Sequence, residues 1–157
     1  MQGDAAARLI KRPLRKGQAL IRTLEGSAEA VSSGLQEMFT CNLLARLTND
    51  SRGTVEILLA EILNNVVEHA YARYPGQIQI SITPGDGYLF IRMVDQGLPM
   101  PSGDAPGGKL NTLAEFQDLP EGGFGWFLIR SLSQDLVYLR DGDQNVLSFC
   151  VDVDYLG

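Results

Sequence analysis

Residues 77 to 94 read QIQISITPGDGYLFIRMV, and this stretch decides the fold class. Ile78, Ile80 and Ile82 alternate with Gln77, Gln79 and Ser81, the period of two of a strand buried on one face. Pro84-Gly-Asp-Gly87 then makes a tight turn into Tyr88 to Val94, apolar-rich apart from Arg92, so the two runs pair as a hairpin. A second hairpin is expected further on, from 136–140 and 145–153 across Asp141-Gly-Asp-Gln. Hairpin connections require antiparallel neighbours.

Upstream, Gln18 to Leu24 is a short β-prone run. From Gly26 to Leu47 the apolar residues Ala30, Val31, Leu35, Met38 and Leu43 recur at helical spacing. Thr48 to Gly53 is turn chemistry offering Asp50 or Ser51 as an N-cap, and Thr54 to Arg73 is helical again until Tyr74-Pro-Gly ends it. Residues 95–122 are rich in glycine and proline and poor in large apolar side chains. A structureless segment that long in a small domain is either functional or a misassigned element, and it reads as a lid. Phe124 to Gln134 is a third helix introduced by glycines. The order β-α-α-β-β-lid-α-β-β, with three helices, specifies a two-layer α+β sandwich: a mixed, mainly antiparallel sheet covered on one face.

Composition sets outer bounds. A chain of 157 residues with 45% hydrophobic and 20% charged residues is a single ordinary folded domain. A net charge of −6 disfavours nucleic-acid binding, and no apolar run approaches the ~18 residues of a membrane span. Residues 1–16 hold Arg8, Lys11, Arg12, Arg15 and Lys16 against Asp4, leaving −10 on residues 17–157. The basic arm is expected to be a solvated terminus ahead of a domain at 17–157, docking on an acidic partner being the other reading. Cys41 and Cys150 lack zinc-site or disulfide spacing and read as reduced core thiols. With no apolar signal segment at the start, a cytoplasmic address is expected.

Three polar signals are left over. On the 54–73 helix, Val55, Leu59, Ile62, Val66 and Ala70 form the buried stripe, while Glu61, Asn65, Glu68 and His69 crowd another edge. A glutamate there can take a proton from a hydroxyl, and an amide oxygen one turn away suits Mg²⁺; the competing reading is a solvated face. His69 either touches phosphate or hydrogen-bonds and packs at the helix end. Asp95, in Asp95-Gln-Gly97-Leu-Pro99 at a strand end, either caps a turn or accepts from an exocyclic amine such as N6 of adenine, with Gly97 admitting a flat base. Gly122-Gly-Phe-Gly125 precedes a helix, where unpaired amides attract phosphate; a plain hinge is the alternative.

Taken in order, Glu61-x-x-x-Asn65-x-x-x-His69, Asp95-x-Gly97-x-Pro99 and Gly122-Gly-Phe-Gly-Trp-Phe-Leu-Ile-Arg130 resemble the boxes of the GHKL, or Bergerat-type, ATPases. Within them the chain looks most like the bacterial anti-sigma-factor serine kinases, whose E-x-x-x-N-A-x-x-H-A-Y box matches Glu61 to Tyr71 with Val66 in place of Ala. Asp135, Tyr138 and Asn145-x-Leu147 continue the match, so it covers roughly residues 18–153.

The resemblance implies ATP and Mg²⁺ as cofactors, with Glu61 as general base and Asn65 as the magnesium ligand. Asp95, with Gly97 beside it, would hold the adenine amine. Gly123, Phe124 and Gly125 would supply backbone contacts to the phosphates, and residues 96–121 would form the ATP lid. It further implies a serine protein kinase acting on a small anti-anti-sigma protein, a sigma factor as second partner, and a homodimer. The family's adenine-side Thr is unassigned, with Ser148 near the expected strand. A regulatory nucleotide-binding module without phosphotransfer is the rival reading.

Overall fold

The computed structural model describes residues 19–100 and 123–157. The basic segment 1–16, Gly122 and the expected lid from residue 101 onward lie outside the described residues. The elements are β1 (Leu20–Glu25), α1 (Ala28–Met38), α2 (Asn42–Ala45), α3 (Asn49–Asn65), β2 (Gln77–Pro84), β3 (Tyr88–Asp95), α4 (Gly123–Leu132), β4 (Gln134–Asp141) and β5 (Gln144–Asp152). Both expected hairpins form, and the sheet order is β1-β2-β3-β5-β4. Every neighbouring pair is antiparallel, so among the described residues the mixed pairing allowed by the sequence does not occur.

The alternation in QIQISIT does what its period requires. Ile78, Ile80 and Ile82 are fully buried, and across β3 they meet Asp95, Met93 and Ile91. The same sheet face continues through Leu147, Phe149 and Val151 of β5, and packs with Val55, Leu58, Leu59 and Ile62 of α3 and Trp126 and Ile129 of α4. The last inward positions of β3 and β5 are Asp95 and Asn145, directly paired across the two strands. An apolar layer thus ends in two buried polar residues at one end of the sheet.

Two helix boundaries differ from expectation. The 26–47 helix is split into α1 and α2, making four α-helices among the described residues where three were expected. The Thr40 hydroxyl donates to the Glu37 carbonyl at 2.7 Å, and Cys41 turns into extended backbone, which ends the first helix. The second long helix starts at Asn49, and its cap is Thr48 rather than Asp50 or Ser51. Thr48 is extended and its Oγ1 accepts from Ser51 N at 3.3 Å, while Asp50 falls in the first turn, where its charge suits the helix dipole.

At its C-terminal end α3 widens into a π-helical turn over Val66–Ala70, closed by Tyr71 N donating to Val66 O at 3.0 Å. The wider turn breaks the uniform helical step that would align Glu68 and His69 with Glu61 and Asn65. Glu68 is exposed, whereas Asn65 is buried. Of the cysteines, Cys150 is buried as expected, but Cys41 is only partly buried and its Sγ accepts from Arg22 at 3.1 Å.

Candidate nucleotide site

Glu61 and Asn65 lie one turn apart on α3 and both meet the first turn of α4. A Cβ added to Gly125 would stand 2.7 Å from Glu61 Oε2 and 3.6 Å from Asn65 Nδ2. Glycine at this position therefore lets the carboxylate and the amide approach a helix start whose leading N–H groups lack intrahelical partners. Gly123 and Phe124 form the beginning of that helix, so their backbone lies in the same turn. Asn65 is only 7% exposed, yet among the described residues its Nδ2 has no hydrogen-bond partner. Leaving a buried amide unpaired costs about 1–3 kcal/mol, so this group calls for a partner beyond the described residues.

Asp95 sits at the neighbouring corner, 6% exposed. Its Oδ1 accepts from Gly97 N at 2.9 Å and from Asn145 Nδ2 at 2.8 Å. Asn145 also donates to Leu98 O at 2.9 Å, and its Oδ1 accepts from Tyr138 OH and from Arg140 Nη1 at 3.0 Å. Burial holds the Asp95 carboxyl above the usual aspartate range, while Asn145, the Gly97 N–H and the nearby Arg140 charge pull it back. The bond from Gly97 N is an Asx-type turn, so the capping reading of Asp95 is realised. The carboxylate nevertheless lines a cleft, together with Asn65, His69, Met100, Trp126 and Asn145.

The segment after Asp95 is pinned from both sides. Leu98 N donates to Ala70 O at 2.7 Å, Arg140 Nη1 donates to Gly97 O at 2.7 Å, and Met100 N donates to Tyr138 OH at 3.0 Å. Tyr71 closes the corner, its hydroxyl donating to Gln77 O and accepting from Gln96 N at 3.0 Å. Gly97 is required here for a reason other than the expected access of a flat base. A Cβ on it would stand 2.4 Å from Ala70 O, so the missing side chain makes room for the end of the π turn. Gly97→Ala is expected to cost about 1–3 kcal/mol, as overpacking does, read as a lowered denaturation midpoint with unchanged slope.

Glu61, Asn65, Asp95, Gly97 and Gly125 are thus gathered around one end of the sheet. His69 is exposed and lines the cleft rather than packing at the helix end. Ser148 pairs with Arg92 and Val137, on the sheet face away from the helices, and takes no part. Asn145, Tyr138, Arg140 and Tyr71 complete the corner without having been singled out as site residues; the register opposite Asp95, countable from the two hairpins, was the available signal for Asn145. A larger groove, lined in part by Arg22, Cys41, Arg46 and Tyr155, lies at the β1 edge and contains none of the residues expected to bind nucleotide.

A family model described as the histidine kinase-like ATPase domain matches residues 23–151. The chain belongs to this family, and within it the resemblance to the GHKL anti-sigma kinases stands. Among curated proteins it is similar to the serine-protein kinase RsbW of Bacillus cereus (strain AH820) and of Bacillus anthracis. Each is 28% identical over 95 residues, covering 59% of this chain and 59% of the relative. The chain thus spans about three fifths of the length of the curated relatives it matches. In fold it is similar to the solved structure of the RsbU and RsbW domains of Rv1364c from Mycobacterium tuberculosis, with a TM-score of 0.57 at 13% identity, covering 87% of this chain and 33% of that one.

Proposed function

We propose that this domain is an ATP- and magnesium-dependent serine protein kinase of the anti-sigma type, which phosphorylates a small anti-anti-sigma protein and holds a sigma factor as its other partner. The observation that carries the reading is the meeting of Glu61, Asn65 and the glycine-led start of α4 at one point, beside a buried carboxylate. The RsbW relatives, named as serine-protein kinases, support serine as the acceptor class, and the anti-sigma setting comes from the resemblance of the three boxes. A cytoplasmic address and a homodimer belong to the same proposal. Among the described residues no helix is long and apolar enough to cross a membrane.

Each group has a task that its surroundings suit. Asp95 accepts the exocyclic amine of adenine, and the leading amides of α4, from Gly123, Phe124 and Gly125, bind the phosphates. Glu61 takes the proton from the attacking serine hydroxyl. The serine oxygen forms its bond to the γ-phosphorus, the bond from that phosphorus to the β–γ bridging oxygen breaks, and ADP leaves with the electron pair. The lid read at 96–121 belongs to the same proposal, its first residues, 96–100, being held at the corner by Tyr71, Ala70, Arg140 and Tyr138. Positioning and charge neutralisation account for most of the rate in such a transfer.

The described residues fit a magnesium ion held largely by its nucleotide. No cluster of three or more His, Cys, Asp or Glu capable of holding a metal occurs among them, while the Asn65 amide carries an oxygen of the hard kind such an ion takes, and its unpartnered Nδ2, a donor, suits a phosphate oxygen instead. Asn65 would hold the ion, which when bound neutralises phosphate charge.

Purified protein mixed with labelled ATP, Mg²⁺ and a cognate antagonist domain is expected to produce phosphoserine. Nucleotide binding at full occupancy without phosphoserine would instead favour a regulatory module that closes on ATP and transfers nothing.

A further inference from the structure

Asp95 has two oxygens, and the surrounding bonds treat them differently. Both donors, Gly97 N and Asn145 Nδ2, land on Oδ1, leaving Oδ2 as the oxygen that no hydrogen bond from the described residues occupies. The amide that enforces this is itself held in one orientation. Its Oδ1 faces Arg140 Nη1 at 3.0 Å, and a guanidinium has donors only, so the oxygen must point to Arg140 and the NH₂ to Asp95 and Leu98 O. Tyr138 donates to the same oxygen. With Asn145 only 5% exposed, the arrangement is shielded from competing water.

We propose that Asn145 is the positioning residue for base recognition: oriented by Arg140 and Tyr138, it occupies one oxygen of Asp95 and so presents the other, aimed and unpaired, to an exocyclic amine. The inference rests on the nucleotide reading above and adds to it the source of base selectivity. Asn145 touches no base itself. It acts by fixing the rotamer and the free lone pairs of the group that does. An amine donates to Oδ2, whereas a base carrying a carbonyl at that position brings an acceptor against an acceptor, and selectivity follows from that mismatch.

The test compares ATP with inosine triphosphate, which carries a carbonyl where adenine has its amine, by titration calorimetry in Mg²⁺. The unaltered protein should bind ATP far more tightly than the inosine analogue. Asn145→Ala should weaken ATP ~10-fold, the scale of one lost hydrogen bond to a charged group, and leave the analogue within ~2-fold, so the ratio collapses. A merely structural role would weaken both nucleotides together and keep the ratio. Arg140→Met, at an exposed residue, should narrow the ratio in the same direction by freeing the amide to rotate, and it serves if Asn145→Ala does not fold. Wild-type selectivity that survives in a folded Asn145→Ala, or in Arg140→Met should the alanine variant not fold, overturns the role of Asn145 and leaves the nucleotide site standing. An unaltered protein that binds neither nucleotide, or both equally, takes the base-recognition reading down with it.

Discussion

Glu61→Gln is expected to reduce serine phosphorylation ~10²- to 10⁴-fold while Mg-ATP affinity stays within a factor of ~2, because a general base acts in the transition state and not in nucleotide binding. The replacement is close to isosteric, and the space beside Gly125 that admits a carboxylate oxygen admits an amide equally well. Turnover and catalytic efficiency toward the acceptor protein should therefore fall together. A fall in ATP affinity of the same size as the fall in rate would place Glu61 in binding and remove its role as base. The measurement is single-turnover transfer from labelled ATP beside a calorimetric Kd on the same preparation.

Asp95→Asn has the second large effect, and it splits function from stability. The asparagine keeps an oxygen to accept from Gly97 N and Asn145, but it turns the other oxygen into an NH₂ that opposes the adenine amine, donor against donor. ATP affinity should drop by at least ~10²-fold, since a site built for one hydrogen-bond partner rejects its mismatch strongly. The unliganded protein should respond in the opposite sense. Burial holds the folded-state Asp95 carboxyl above its ordinary value, so the folded chain binds that proton more tightly than the unfolded one. Stability from this group is complete below the ordinary aspartate range and is lost as pH rises through the folded-state value. At neutral pH the charged, partly desolvated carboxylate is a cost that asparagine removes. Thermal melts of the unliganded variant should lie at or above wild type at pH 7, and the difference should close as the pH is lowered into the range where Asp95 is protonated in both states.

How much of this was legible from the residues follows from which signals are local. QIQISITPGDGYLFIRMV carries its own period and its own turn, so the central hairpin and the antiparallel sheet could be read directly. Glu61 and Asn65 were legible as a pair because four residues on a helix bring side chains together whatever the tertiary context. Glu68 was misplaced by the same logic, since a single π turn at Val66–Ala70 breaks the helical step and nothing in VVEHA announces it, whereas His69 lines the cleft with Asn65. The helix caps slipped by a residue or two because Thr48, Asp50 and Ser51 are all competent, and packing of Thr48 N against Asp154 O, a contact distant in sequence, accompanies the choice. Gly97 was read as admitting a flat base, whereas the close approach the fold displays is to Ala70 from another element, a fact that only the assembled fold supplies. The brace of Asn145, Tyr138 and Arg140 comes from strands 38–50 positions away from the residues it holds, beyond the reach of any local pattern, and only the hairpin register pointed to Asn145.

The central claim is that groups from α3, β3 and the start of α4 serve a single nucleotide. It is tested most directly by titrating isotope-labelled protein with Mg-ATP and following individual resonances. The side-chain amides of Asn65 and Asn145 and the backbone amides of Gly97, Gly123 and Gly125 should move together along one binding curve, while Arg22, Cys41 and Arg46, in the larger groove at the β1 edge, stay still. Shifts confined to that groove, or separate curves for the α3–α4 corner and the Asp95 corner, would contradict it.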